Sequence, residues 1–117
     1  MRILLLLAVA VTLVACASGN RPLKVVSSVG PVYPPDAKAE GIEGHVLVRY
    51  DVGVEGRVRN VRVVEASPPG VFDESARQAV SRWRFQPPTE AGEPQPVEGL
   101  ESRLEFTRSG GAAYEEY

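Results

Sequence analysis

The sequence predicts an α+β domain in which a three-stranded antiparallel sheet packs on one main helix, with a short helix before the sheet. Three observations predict it. Valine-rich segments alternate apolar and polar residues, as half-buried strands do. One later segment has the three- and four-residue apolar spacing of an amphipathic helix. The chain of 117 residues is long enough for one domain with a modest core.

The short helix is expected just after a proline-rich segment. Residues 31–35 read Pro-Val-Tyr-Pro-Pro and cannot be helical through their interior. Each proline fixes φ and pushes the residue before it into an extended conformation. Pro35 can instead open a helix over residues 36–40, which Gly41 ends.

The first two strands are predicted to form a hairpin. Apolar residues alternate with polar ones over residues 44–52, although Leu47 breaks the alternation and indicates partial cover of the second face. Gly53 and Gly56 supply a tight turn. The second strand covers residues 57–67, and its three-residue step from Val58 to Val61 indicates a bulge near Arg59 and Asn60.

The main helix and the third strand follow. The helical stripe consists of Phe72, Ala76, Ala79, Val80 and Trp83. Asp73 is the expected N-cap, and Pro87 prevents continuation. Trp83 and Phe85 are interpreted as core residues rather than as a ligand-stacking platform. Residues 100–106 alternate strictly, which predicts a third strand over residues 100–107 with Leu100, Leu104 and Phe106 facing inward.

The N-terminus has the layout of an export signal. Arg2 precedes an apolar run, residues 3–15, in which Thr12 is the single polar residue. The run is shorter than the roughly 20 apolar residues of a membrane-spanning helix. It ends in Leu13-Val14-Ala15-Cys16, which resembles the bacterial lipobox, so Cys16 is the predicted lipidation site. Ala17 rather than Asp after the cysteine favours the outer membrane by analogy with a bacterial sorting rule.

Four regions follow from these features: a lipoprotein signal peptide at residues 1–15, a tether at 16–30, a domain at 31–107 and a flexible tail at 108–117. A short strand is expected within the tether, near residues 23–26. Fully extended, the tether reaches about 50 Å. Export predicts a periplasmic protein that is attached to the membrane through its lipid. Since Cys16 is the only cysteine, it has no disulfide partner.

The composition argues against catalysis. His45 is the only histidine, so neither a His-based triad nor a histidine-rich metal site can be built. Glu101 and Glu105 lie on an exposed strand face without apolar surroundings, which makes them poor candidates for acid/base catalysis. No enzyme, cofactor or metal is predicted. The formal net charge of −2 gives no indication of nucleic acid as a partner, and nothing in the composition indicates an oligomeric state.

The residues at the junctions of these elements resemble one family, the TonB C-terminal domain. The resemblance covers about residues 31–107. It rests on Pro31-Val32-Tyr33-Pro34 with Ala37, Gly41-Ile42-Glu43-Gly44-His45-Val46, Gly56-Arg57-Val58, Ala66-Ser67-Pro68, Phe72-Asp73 with Ala76 and Ala79-Val80, and Trp83-Arg84-Phe85-Gln86-Pro87 with Gly92.

The resemblance implies a binding role in the periplasm. The family forms the periplasmic end of a transducer that carries inner-membrane proton-motive work to outer-membrane receptors. Its last strand takes up a receptor peptide as an added strand, which edge strands allow because their main-chain groups are unpaired. The implied partner-binding residues here are Leu100, Glu101, Ser102, Arg103, Leu104, Glu105 and Phe106.

Two questions stay open at this point. Tyr33 and Pro34 either contact the partner or form a rigid extended segment over the core. The chain also departs from a full transducer, since it has a lipobox where a transducer has an uncleaved anchor, and it has no long proline-rich spacer. The alternative function is therefore a non-transport envelope scaffold, in which the same fold binds another periplasmic protein or peptidoglycan.

Overall fold

The computed structural model describes residues 19–114 as two helices and eight strands. In chain order these are β1 (Lys24–Ser27), α1 (Pro35–Glu40), β2 (Gly44–Val52), β3 (Val58–Ser67), α2 (Asp73–Ser81), β4 (Arg84–Gln86), β5 (Thr89–Glu90), β6 (Glu93–Pro94), β7 (Val97–Thr107) and β8 (Gly111–Tyr114). The signal peptide, Cys16 and the last three residues of the predicted tail lie outside the described residues.

The central sheet confirms the α+β fold class and extends the predicted sheet by one strand. Its order is β3-β2-β7-β8, and each neighbouring pair is antiparallel. The predicted three strands correspond to β2, β3 and β7. The fourth, β8, comes from the segment that was expected to be a flexible tail. The prediction missed it because its Gly-Ala-Ala-Tyr sequence has no alternating pattern.

The β2–β3 hairpin contains the expected irregularity near Asn60. The register shifts between Arg49 and Asp51 of β2, opposite Asn60, which has a positive φ of 53°. A second shift follows Leu47, which no sequence pattern indicated. Because each bulge adds a residue and increases the local twist, the two irregularities bend β3 along the helix-bearing face.

Helix α2 buries the predicted stripe against the sheet. Phe72, Ala76, Val80 and Trp83 are fully buried and Ala79 nearly so. The predicted N-cap was wrong by one position, since the cap residue is Phe72 and no side chain caps it. Asp73 is the first helical residue, and its carboxylate accepts the N–H of Gly70 at 2.8 Å, which places negative charge at the positive end of the helix dipole.

The largest fully buried side chains are aromatic. Phe72 and Phe106 stack with ring centroids 4.3 Å apart, and Tyr33 packs edge-on against both. Tyr50 contacts Trp83 edge-on at 5.8 Å. Trp83 and Phe85 are therefore core residues, as expected, although Phe85 lies on β4 rather than at the end of the helix.

The segment expected to be a free tether is packed on the domain from its first described residue. The predicted short strand is β1, one residue later than expected, and it pairs with β4 through Lys24 and Gln86. Tether residues fold back because Leu23 and Val25 pack against the core. No helix within residues 19–114 is both long and apolar enough to cross a membrane.

Candidate strand-binding edge

The candidate residues divide between the two faces of β7. Leu104 and Phe106 are fully buried and Ser102 nearly so, whereas Glu101, Arg103 and Glu105 are exposed. Leu100 is half-buried. The alternation places the predicted inward residues in the core and the charged ones in solvent, as the sequence pattern indicated.

The exposed charges of β7 are paired on the surface. Glu101 accepts hydrogen bonds from the guanidinium of Arg49, directly opposite it on β2, and Arg103 Nε lies 2.9 Å from Glu105 Oε1. Exposed pairs of this kind contribute at most about 1 kcal/mol each. They therefore add little to the stability of the fold.

Ser102 has a structural role that the sequence pattern did not reveal. Its hydroxyl is 2.9 Å from the phenol oxygen of Tyr50, and both groups are buried. A buried hydroxyl needs such a partner, because leaving it unsatisfied costs about 1–3 kcal/mol. The burial of Ser102 could have been inferred from its position in the strand, since it lies between Leu100 and Leu104 on the face that points inward.

The edge of β7 away from β2 is partly occupied by the chain itself. Strand β8 pairs there with residues 104–107, in a register that sets Leu104 opposite Tyr114 and Glu105 opposite Ala113. No strand among residues 19–114 pairs with the outer edge of β7 before Leu104. Within the part of the chain that the structure describes, the first half of the last predicted strand is therefore without a partner on this edge, and its second half pairs with β8.

One side chain holds β8 in place. Gly111 and Ala113 are exposed, Ala112 is half-buried, and none of the three has a large apolar surface to bury. Tyr114 is different. Its ring lies 5.2 Å from that of Trp83, and its hydroxyl is 2.8 Å from Ser28 Oγ. Strand β8 is thus attached by main-chain pairing and one aromatic contact.

Tyr33 and Pro34 precede α1 and lie beside the hairpin that β7 and β8 form, not on β7 itself. Tyr33 packs into the core, and its hydroxyl donates to the carbonyl oxygen of Ile42. Pro34 is half-buried and precedes α1. These contacts support the interpretation as a rigid segment over the core. The ring of Tyr33 also lines a cleft with Lys38, Arg108 and Ala112, so this residue reaches the base of β8.

The exposed face of the sheet holds Asp51 between two neighbouring strands. Its carboxylate accepts the backbone N–H of Gly99 at 2.9 Å and the side-chain N–H of Asn60 at 3.1 Å. The Gly99 bond, the Asn60 bond and the charge of Arg62 together lower the pKa of Asp51 below its ordinary value, against a smaller opposing effect of burial. Asp51 thereby ties β3 to the first residues of β7.

Two of the arginines near Asp51 are in ion pairs with glutamates. Arg49 pairs with Glu101 and Arg59 with Glu55, and Arg62 donates to the carbonyl oxygen of Asn60 at 2.8 Å. Within residues 19–114, no group of three or more His, Cys, Asp or Glu side chains is arranged to hold a metal ion.

Comparisons with known proteins agree with this geometry. The family model described as Gram-negative bacterial TonB protein C-terminal matches residues 29–107. Protein TonB of Yersinia enterocolitica is 44% identical over 63 residues, which are 54% of this chain and 25% of that protein. Protein TonB of Klebsiella pneumoniae is 34% identical over 97 residues, 83% of this chain and 36% of that protein. The chain thus matches about a quarter to a third of the length of these relatives.

A solved structure shows the same fold. The solution NMR structure of the Pseudomonas aeruginosa TonB CTD superimposes with a TM-score of 0.56 at 32% sequence identity, and the match covers 72% of this chain and 82% of that one. The matched family region begins at Val29 and ends at Thr107, so it contains the central sheet except for β8. The chain belongs to the TonB C-terminal domain family.

Proposed function

We propose that this protein is a periplasmic binding module that takes part in TonB-dependent transport across the outer membrane by accepting a receptor peptide as an added strand along β7. The observation that carries the proposal is the pairing of β8 with residues 104–107. Three of the four residues of β8 are small, and the strand is held there by main-chain pairing together with the contacts of Tyr114. The same main-chain groups can bind another extended peptide with little demand on its sequence.

The proposal requires β8 to leave when the partner binds. A receptor peptide paired with residues 100–107 overlaps the positions that β8 occupies. It also gains the first half of the edge, with which no strand among residues 19–114 pairs. The exposed charges of Glu101, Arg103 and Glu105 then select among peptides through cross-strand side-chain pairs of about 0.2–1 kcal/mol each, so neutralising one of them weakens binding only modestly.

The same proposal places the protein on a membrane through Cys16. The lipobox-like sequence that ends at Cys16 supports cleavage of residues 1–15 and attachment of a diacylglycerol, with the outer membrane as the destination. Cys16→Ser should abolish incorporation of a labelled fatty acid and release the protein from the membrane fraction. Fatty-acid incorporation that persists in this variant would refute lipidation at Cys16.

A reversible disulfide tests the strand-addition step. Glu105 and Ala113 are directly opposite on β7 and β8, and the Cα spacing of such pairs suits a disulfide. In a Cys16→Ser background, Glu105→Cys combined with Ala113→Cys locks β8 onto β7 when oxidised. The immobilised domain should capture outer-membrane receptors from detergent-solubilised envelopes when reduced and lose them when oxidised.

The two single-cysteine variants serve as controls, because neither can lock β8. Equal capture of receptors by the oxidised and reduced double variant would show that partners do not replace β8. Capture of peptidoglycan or of periplasmic proteins in place of receptors would support the scaffold function. One observation favours that second candidate, namely that residues 19–29 are packed on the domain, which shortens its reach from the membrane.

A further inference from the structure

The first described residues of the chain lie along the hairpin formed by β5 and β6. Arg21 and Thr89 exchange two backbone hydrogen bonds of 3.2 and 2.9 Å, and the N–H of Arg21 is also 2.9 Å from the hydroxyl oxygen of Thr89. The carbonyl oxygen of Gly19 accepts the N–H of Gly92 at 2.7 Å. The N-terminal segment therefore adds a third, short row of backbone pairing to this hairpin.

Attachment of this segment continues toward the core. Strand β1 pairs with β4, and the carbonyl oxygen of Val29 accepts the indole N–H of Trp83 at 2.9 Å. These hydrogen bonds are spread from Gly19 to Val29. The segment is therefore attached to the domain along its length, from its first described residue to the core. Gly19, the first described residue, is thus held at the surface beside the β5–β6 hairpin.

This starting point lies close to the proposed lipid. Gly19 follows Cys16 by three residues, and three residues span at most about 10 Å at 3.3–3.6 Å each. The inference below rests on the proposed lipidation of Cys16. With the acyl chains in the bilayer, the surface around Gly19 and Gly92 has to lie within roughly that distance of the headgroups.

We propose that the edge formed by residues 19–21 and the β5–β6 hairpin is a membrane-apposed surface that rests on zwitterionic phospholipid headgroups. Its exposed side chains include Arg21, Glu90 and Glu93. The guanidinium suits a headgroup phosphate, and the two carboxylates suit the ammonium groups of phosphatidylethanolamine. The large exposed apolar residues of the described chain are Val26, Val29, Val32, Val54 and Val64. All five lie outside this edge, so it contacts headgroups without inserting.

The opposite end of the sheet provides an internal reference. The hairpin ends at Pro94, with two residues between it and Val97, which pairs with Val52 at the end of β2. Helix α1 ends at Glu40, with three residues between it and Gly44, where β2 begins. The nine residues of β2 separate the two ends by roughly 26 Å at about 3.3 Å per residue. Glu93 and Glu40 are both exposed and form a matched pair of probe positions.

The experiment uses the full lipidated protein in vesicles of phosphatidylcholine and phosphatidylethanolamine. Cys16 is the only cysteine, and in the lipidated protein its sulfur is bonded to the diacylglycerol as a thioether. Glu93→Cys or Glu40→Cys therefore supplies a single free thiol for a fluorescent probe. A fraction of the lipid carries a nitroxide on its headgroup. The expected result is severalfold stronger quenching of the probe at position 93 than at position 40. A control combines Cys16→Ser with either variant, so that the lipid attachment site is lost and the introduced cysteine is the single thiol to be labelled. Quenching should then disappear.

The outcomes separate this inference from the proposed function. Mass spectrometry of the purified protein first establishes whether the acyl groups are present. An unacylated protein would overturn the lipidation on which the inference rests. An acylated protein whose two probes are quenched equally, or more strongly at position 40, would overturn the membrane-apposed edge while leaving lipidation and strand addition intact.

Discussion

The indole Nε1 of Trp83 donates a hydrogen bond of 2.9 Å to the carbonyl oxygen of Val29. Trp83 is fully buried at the end of the helical stripe, whereas Val29 belongs to the segment before the first helix. One side chain thus joins the core, the N-terminal segment and, through its ring contact with Tyr114, the last strand. Loss of the whole side chain is expected to affect all three regions, whereas loss of the indole N–H alone should affect mainly the N-terminal segment.

Replacement of Trp83 tests this connection. Trp83→Phe removes the indole donor but keeps an aromatic ring, so we expect faster tryptic cleavage after the exposed Lys24 in β1, because the N-terminal segment is released more often. Cleavage after Arg108 serves as the control and should change less. Trp83→Ala should cost about 3–5 kcal/mol by the large-to-small core rule. Unchanged cleavage after Lys24 in the Phe variant would show that this hydrogen bond does not hold the segment.

Gly56 and Gly92 have nearly the same φ but different surroundings. Replacing each with alanine therefore distinguishes the cost of backbone strain from the cost of a steric collision. Gly56 and Gly92 have φ of 82° and 81°. A Cβ at Gly56 would lie 2.0 Å from the carbonyl oxygen of Phe85, whereas a Cβ at Gly92 meets nothing within 4 Å. Gly92→Ala should cost about 1 kcal/mol for the left-handed conformation alone. Gly56→Ala should cost clearly more in urea unfolding, and equal costs would contradict the predicted collision.

Periodicity predicted the elements whose burial follows from local pattern. Three sequence patterns predicted the element that the structure contains: the alternation in β2, the three-residue step in β3 and the apolar stripe of α2. They did so because one face of each element packs on the same core. The inward register of Leu104 and Phe106 on β7 was predictable for the same reason. These features depend on the spacing of apolar residues along the chain and hardly at all on distant partners.

The remaining features depend on backbone pairing, which leaves no pattern in the side chains. Strand β8 follows β7 after only three residues, but it contains glycine and alanine, so its pairing with β7 could not be predicted from its own composition. Docking of residues 19–21 on Thr89 and Gly92 joins segments far apart in sequence and uses backbone groups, which every residue has. The outer edge of β7 was therefore predicted to be open, and the candidate site differs from the expectation where β8 pairs with residues 104–107.

The lowered pKa of Asp51 predicts a pH-dependent contribution to stability. Because the folded state favours the carboxylate, the contribution is present above the unfolded pKa, about 3.9, and is lost as pH falls through the lower folded pKa. Asp51→Asn should therefore be less stable than wild type at neutral pH. The difference, measured by urea unfolding, should shrink below about pH 4. The effect should be small because the carboxylate is largely exposed, and a difference that grows on acidification would contradict the prediction.

Tyr114 gives the last prediction, which concerns the proposed displacement of β8. If the partner must replace β8, the free energy that holds β8 in place is subtracted from the free energy of binding. Tyr114→Phe removes the hydroxyl contact with Ser28, and Tyr114→Ala removes the ring contact with Trp83 as well.

Both Tyr114 variants should bind a receptor peptide more tightly than wild type, and the Ala variant should gain more. Each 1 kcal/mol lost from β8 docking corresponds to about a fivefold lower dissociation constant. Thermal midpoints should fall in the same order, since the same contacts stabilise the free domain. The measurement is titration of a fluorescent peptide, first identified from a captured receptor, with the oxidised disulfide variant as a non-binding reference. Weaker binding by the Ala variant, with the fold intact by circular dichroism, would mean that Tyr114 contacts the partner and that β8 stays on β7 in the complex.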